Sequence, residues 1–202
     1  MIAILDYGAG NLRSVQNTLD EVGAEYTLVR DCAGLRGAPK IILPGVGHFG
    51  QMMRALDELQ IRDTLIERIR AGVPFLGICL GLQALFDGSE EAPDARGLGL
   101  FAGIVRRFPA NVRMPHMGWN QIEMRADSRL LAGLAAGTFV IFMHSYYAPE
   151  AAATAATCTY GIRYTAALES GNIFGVQFHP EKSGPAGLRI VRNFVAPGSF
   201  ET

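Results

Sequence analysis

One segment constrains this chain more than any other: Val73-Pro-Phe-Leu-Gly-Ile-Cys79-Leu-Gly81, followed by Leu82-Gln83-Ala84-Leu85-Phe86. An apolar run meets Gly-x-Cys-x-Gly and then helix formers, the pattern of a strand turning sharply into a helix. Glycines two residues before and two after the cysteine leave room for such a turn. The turn lifts the side chain above the edge of a sheet. Sulfur stands here where such elbows more often carry a serine oxygen. At a helix N-terminus the free N–H groups and the dipole favour a thiolate. Cys79 is therefore a candidate nucleophile, and on this segment alone a buried core thiol stays open as the other reading.

A chain of 202 residues suits one large domain spanning residues 1–202 and suffices for a substantial core. With 49% hydrophobic and 18% charged residues it has no signature of disorder. A net charge of −1 gives no global pull toward nucleic acid or an anionic membrane. Cys32, Cys79 and Cys158 are widely spaced and odd in number. No disulfide scheme uses all three and no C-x-x-C spacing suggests a metal, which fits a reducing compartment. The start, Met1-Ile-Ala-Ile-Leu-Asp6, reads as a strand rather than a signal peptide. Two uncharged stretches, residues 71–86 and 130–149, are broken by Pro74, Gly77 and Gly81 and by Gly133, Gly137 and His144. Neither suits a membrane span, and a cytoplasmic protein is expected.

The first half alternates strand and helix. Apolar runs at residues 2–7, 25–29 and 40–43 read as strands, and 11–22 has helical spacing at Leu12, Val15, Leu19 and Val22. Helical pattern returns over 49–70, divisible into two helices, before the strand that leads to Cys79. This βαβ rhythm predicts an α/β fold with an open, mixed but largely parallel sheet flanked by helices. The second half predicts additional antiparallel strands at 100–108, 120–124, 139–145, 157–164, 165–169 and 173–178. A last helix is expected over 185–194, with proline in its first turn.

The strand at 173–178 ends in His179-Pro180-Glu181. An imidazole can activate a thiol, and a carboxylate can hold that imidazole in one tautomer. In extended backbone residues i and i+2 point the same way, so Glu181 can reach His179. The other reading is a local His–Glu pair at a strand end. A cysteine elbow and this pair both follow strands of one sheet, where open α/β sheets place their sites. An acyl carbon under attack also needs oxyanion donors. The N–H of Leu80 is one candidate, and Pro44-Gly45-Val46-Gly47, able to present a reoriented peptide, is another. An ordinary strand-to-helix turn is the alternative for that glycine segment.

Gly77-Ile-Cys79-Leu-Gly81-Leu-Gln83 and Phe178-His179-Pro-Glu181 resemble the triad motifs of the class I glutamine amidotransferases. Tyr7-Gly-Ala-Gly-Asn11, Pro44-Gly-Val-Gly47, Pro115-His-Met-Gly-Trp-Asn120, Met143-His-Ser-Tyr-Tyr147 and His179-Pro-Glu-Lys182-Ser183 narrow the likeness. They resemble the glutaminase subunits of imidazole glycerol phosphate synthases. The likeness runs over essentially the whole chain and departs little from the pattern, with Leu82 where methionine is common in the elbow. It implies a triad of Cys79, His179 and Glu181. Oxyanion N–H groups would come from the Gly45–Val46–Gly47 segment and Leu80, and Gln83, Ser145 and Tyr146 would hold glutamine. Asn11, His116, Met117, Trp119 and Lys182 would face a partner.

No Walker A loop or dinucleotide fingerprint is present, so no cofactor is expected and acceptor chemistry should lie on another chain. The resemblance implies a (β/α)8-barrel cyclase in a heterodimer, which takes ammonia from L-glutamine to make imidazole glycerol phosphate and aminoimidazole carboxamide ribotide. Taken without the resemblance, Trp119 reads as core, Asn11 as a helix cap and Lys182 as a solvated lysine. A glutaminase serving another pathway, such as pyridoxal phosphate synthesis, or a stand-alone thiol hydrolase are the competing functions.

Overall fold

The computed structural model describes residues 1–196. The chain begins with strand β1 (Ile2–Leu5), helix α1 (Leu12–Glu21), strand β2 (Tyr26–Val29), helix α2 (Cys32–Gly37) and strand β3 (Ile41–Gly45). Helices α3 (Phe49–Glu58) and α4 (Arg62–Arg70) precede strand β4 (Phe75–Cys79), which runs straight into the single turn α5 (Leu80–Gln83). Strands β5 (Phe86–Ser89), β6 (Phe101–Arg107), β7 (His116–Gln121), β8 (Glu123–Met124), β9 (Phe139–His144) and β10 (Tyr146–Tyr147) follow. Strands β11 (Thr154–Tyr160), β12 (Ile162–Ser170) and β13 (Ile173–Val176) lead through a 3-10 turn (Pro180–Lys182) to helix α6 (Gly184–Val195).

The main sheet has the order β2-β1-β3-β4-β13-β12-β11-β8. The five strands from β2 to β13 are parallel, and β12, β11 and β8 continue the sheet antiparallel. This is the mixed, largely parallel sheet the alternating pattern predicts. Its parallel strands are buried on both faces, so they read as continuous apolar runs. Ile2 and Ile4 point into one core with Val15 and Leu19 of α1 and with Ile190, Val191 and Phe194 of α6. Ala3 and Leu5 point into the other, with Leu35 of α2, Phe49, Met52 and Leu56 of α3, and Leu65 and Ile69 of α4. Each fully buried large side chain of this kind contributes about 1.5–3 kcal/mol. Among the described residues no helix is long and apolar enough to cross a membrane.

Four local expectations are corrected. The helix after Cys79 stops at Gln83 instead of continuing through Phe86. The carbonyls of Ala84, Leu85 and Phe86 accept hydrogen bonds from the N–H groups of Leu98, Leu100 and Gly99, so they are not available to a helix. A helix lies at 32–37, where glycine-rich sequence hides it; Asp31 caps it by accepting from the N–H of Gly34 at 2.8 Å. The strand expected at 120–124 begins at His116 and pairs with β9 along its length, from His116↔His144 to Gln121↔Phe139. The hairpin of β11 and β12 turns at Gly161, where φ is +70°, and not between Tyr164 and Thr165. There Tyr160 faces Ile162, and Tyr164 and Thr165 lie inside β12 as ordinary strand formers.

Candidate active site

Strands β3, β4 and β13 lie side by side, and their carboxyl ends carry Gly45, Cys79 and, three residues beyond β13, His179. Gly45 is paired directly with Cys79. Cys79 adopts φ 55° and ψ −106°, a strained conformation for a residue with a side chain. The flanking glycines make it possible by close approach rather than by freedom. A Cβ on Gly77 would overlap the carbonyl of Gly81, and a Cβ on Gly81 would overlap the carbonyl of Leu43. A side chain on Gly45 would likewise press on the N–H of Gly81 and on Leu80. The elbow is wedged between neighbouring strands. Because α5 is one turn long, the expected helix dipole is replaced by the N–H groups of that turn alone.

His179 follows the sheet edge, and its Nδ1 lies 2.8 Å from Oε1 of Glu181. Both side chains are almost completely buried, 3% and 2% exposed. The two meet because Pro180–Lys182 forms a 3-10 turn, not because the backbone is extended as the spacing suggests. The second carboxylate oxygen of Glu181 is buried without a partner. Burial lowers the affinity of His179 for a proton, but hydrogen bonds to Cys79 and Glu181 and their negative charges outweigh it. The imidazole rises from 6.5 to about 10, so His179 holds its proton at neutral pH. An imidazolium beside sulfur is the arrangement a thiolate nucleophile requires.

A cavity of about 240 Å³ opens over Cys79 and His179, lined also by Val46, Gly47, Leu80, Gln83, Ser145 and Tyr146. The structure therefore brings together the elbow, the glycine segment and all three residues expected to hold glutamine. A wider cleft of about 700 Å³ between α3 and residues 92–96 includes His48, Arg54, Asp57 and Arg62 but no cysteine. Gly47 has φ +96°, which only glycine adopts readily, and nothing crowds its α-carbon. Gln83 is a brace as much as a contact, since its Nε2 donates to the carbonyl of Tyr146 at 2.9 Å and to Oε1 of Gln177 at 3.1 Å.

Three residues at the site escape sequence reasoning. Gln177 is fully buried and donates from Nε2 toward Sγ of Cys79 at 3.6 Å, linking the thiol to Gln83. Its signal was a lone amide in the apolar run Ile173-Phe-Gly-Val-Gln-Phe178, two positions before His179. Ser183 accepts from the N–H of Ile141 at 2.9 Å and donates to the carbonyl of His179 at 2.7 Å, clamping the histidine to β9. Glu91 lines the cavity, and its carboxylate caps α3 by accepting from the N–H of Phe49 at 2.7 Å.

Strands β7 and β9 form a two-stranded ribbon beside the site. Its outer face exposes Met117 (63%), Trp119 (57%), Phe139 and Met143, a patch that a monomer gains nothing by showing to water. Trp119 is thus a surface residue and not core. Lys182 is exposed and Asn11 half-buried. His116 departs from its expected place facing a partner: it is 4% exposed and its ring turns inward.

Comparison with known proteins agrees with this geometry. The family model described as glutamine amidotransferase class-I matches residues 3–197. A protein of Methanothermobacter thermautotrophicus named imidazole glycerol phosphate synthase subunit HisH is 50% identical over 196 residues, covering 96% of this chain and 98% of that protein. The chain belongs to the HisH family of class-I glutamine amidotransferases. The HisH subunit of Deinococcus radiodurans is 47% identical over 197 residues, covering 96% of this chain and 92% of that one. A solved structure described as a glutamine amidotransferase superposes with a TM-score of 0.76 at 22% identity, covering 96% of each chain, which speaks to the fold alone.

Proposed function

We propose that this chain, as one cytoplasmic domain, hydrolyses the side-chain amide of L-glutamine and delivers the ammonia to a separate cyclase chain. The observation that carries the reading is the buried Cys79–His179–Glu181 constellation opening into a cavity of amino-acid size. The sulfur of Cys79 attacks the amide carbon, forming a C–S bond while the carbonyl oxygen gains charge. The N–H groups of Leu80 and of the Gly45–Gly47 segment are the candidate donors to that oxygen. As the C–N bond breaks, the His179 imidazolium gives its proton to the leaving nitrogen, and ammonia departs. The neutral imidazole then takes a proton from water, whose oxygen attacks the thioester; the C–S bond breaks and glutamate is released. Glu181 holds the ring throughout and stabilises its charge whenever the ring is protonated. Ser145, Tyr146 and Gln83 form the substrate wall, and the Glu91 carboxylate suits the α-ammonium group of glutamine.

The patch on β7 and β9 and the relatives' name, a subunit of a synthase, support a partner chain. A (β/α)8-barrel cyclase docked there, with Met117 and Trp119 as anchors and Asn11 and Lys182 beside them, would receive ammonia without its dilution in water. The product pair would be imidazole glycerol phosphate and aminoimidazole carboxamide ribotide. Gly47, a glycine at φ +96°, leaves its peptide able to take more than one orientation, so glutaminase turnover by the isolated chain should be slow and should rise when cyclase and acceptor are present. Glutamine turnover and imidazole product are measured with the chain alone, with cyclase, and with cyclase plus acceptor. A glutamine-like electrophile followed by mass spectrometry locates the nucleophile. Fast turnover by the lone chain that cyclase leaves unchanged would refute the coupling, and an absent adduct at Cys79 would refute the triad.

A further inference from the structure

Behind the exposed ribbon lies a chain of buried polar groups, of which His144 also lines the cavity and none takes part in the bond-making steps above. His116 and His144 face each other across β7 and β9, 4% and 6% exposed. The hydroxyl of Tyr164, on β12, sits between them, 3.1 Å from Nδ1 of His116 and 3.2 Å from Nε2 of His144. His144 Nδ1 is 2.8 Å from the carbonyl of Tyr146, and His116 Nε2 is 3.2 Å from Nδ2 of Asn120. The rings of Phe108, Phe142 and Tyr160 pack around these groups.

Both ends of this chain are anchored by backbone atoms that have only one role. The carbonyl of Tyr146 can only accept, so His144 carries its hydrogen on Nδ1. The amide of Asn120 is oriented by donating to the carbonyl of Thr159 at 3.3 Å and accepting from the N–H of Gln121 at 2.8 Å. Its Nδ2 must therefore donate to Nε2 of His116, whose hydrogen is then on Nδ1. With both rings neutral the pattern closes: Tyr164 accepts from Nδ1 of His116 and donates to Nε2 of His144. Burial favours that neutral state, lowering His116 to about 4 and His144 to about 3. Cys158 is the register partner of Tyr164 on β11. Every bond runs in one direction, from Asn120 on the outer ribbon to the carbonyl of Tyr146. That carbonyl also accepts from Gln83, the brace that reaches Cys79 through Gln177.

We propose that Tyr164 is a positioning residue: its hydroxyl holds His116 and His144 in the Nδ1–H tautomer and thereby fixes the Ser145–Tyr146 wall of the glutamine cavity against the partner-facing strand β7. The proposal rests on the glutaminase reading for its kinetic part only. Free histidine prefers the Nε2–H tautomer, so two Nδ1–H rings among the four histidines are a distinct signature.

The test is the ring-nitrogen NMR spectrum of the full chain with 15N-labelled histidine, beside the kinetics of Tyr164→Phe with the cyclase present. The expected spectrum shows His116 and His144 neutral and protonated on Nδ1 at neutral pH, and Tyr164→Phe shifts both. That variant should raise KM for glutamine about tenfold with kcat within about twofold, as for loss of a group that positions substrate in ground and transition states alike. Nε2–H or charged rings in the parent chain would overturn the proposal, as would an unchanged KM in a variant whose spectrum has shifted. If Tyr164→Phe does not fold, Asn120→Ala serves: it should shift His116 and raise KM, and an unmoved His116 signal overturns the chain. The spectrum requires no turnover, so its failure is distinguishable from failure of the glutaminase reading.

Discussion

At the scale of single residues, the site depends on a few groups held in unusual states. Cys79 has a positive φ, His179 keeps a proton at neutral pH, and Glu181 is buried with one oxygen unpartnered. The carboxylate is what makes a buried imidazolium tolerable, because opposite charge and a 2.8 Å hydrogen bond offset desolvation. Glu181→Gln keeps the shape and removes the charge. We expect glutamine turnover in the presence of cyclase to fall by up to about 10⁴-fold, the effect of neutralising the orienting carboxylate of a serine triad. Steady-state kinetics check this, with circular dichroism confirming an unchanged fold. A loss below about threefold would mean that Glu181 does not act through His179.

At the scale of elements, the elbow works because three backbones crowd into one place. Gly77 and Gly81 leave no space for a methyl group, and the obstructing atoms are main-chain carbonyls that cannot rotate aside. Gly81→Ala should therefore cost about 3 kcal/mol, the upper end of ordinary overpacking. A lower urea midpoint at unchanged m-value is the expected outcome. A Gly81→Ala variant of parental stability would show that β3 can move away from α5. The ribbon of β7 and β9 plays a different part. It carries Met117, Trp119, Phe139 and Met143 outward, His116 and His144 inward beside the core residues Val140 and Phe142, and through Ile141 and Ser183 it grips the backbone of His179.

At the scale of the molecule, the buried histidines couple folding to pH. His116 and His144 stay neutral until about pH 4 and about pH 3 in the folded chain, whereas in the unfolded chain each takes up a proton near 6.5. Between those values the unfolded state binds more protons, so stability falls as pH falls below 6.5. His179, raised to about 10, is protonated in the folded chain throughout and opposes the loss only while the unfolded histidine is still titrating. Its contribution is complete within about one pH unit below 6.5, and the loss dominates further down. Urea denaturation from about pH 7 to about pH 4.5 should show a falling midpoint, and replacing both His116 and His144 by glutamine should flatten the slope. A slope that is the same in parent and double variant would assign the acid sensitivity to other groups.

Some of this architecture was settled by local sequence alone. The parallel half of the sheet follows from apolar runs alternating with helical spacing, the elbow from two glycines around a cysteine, and the closeness of His179 and Glu181 from their short separation, though the 3-10 turn that joins them does not. Each is a short-range pattern, so steric limits and hydrophobic period suffice to read it. Other features were decided only when distant segments met. Gln177 reaches a thiol 98 positions away, Ser183 binds a strand 42 positions back, and residues 84–86 leave the helical path where Leu98, Gly99 and Leu100 bond their carbonyls. The inward turn of His116 and the outward turn of Trp119 depend on which face of a non-local ribbon was covered. Period-two alternation says that neighbours point opposite ways, but only the packed sheet decides which way is in.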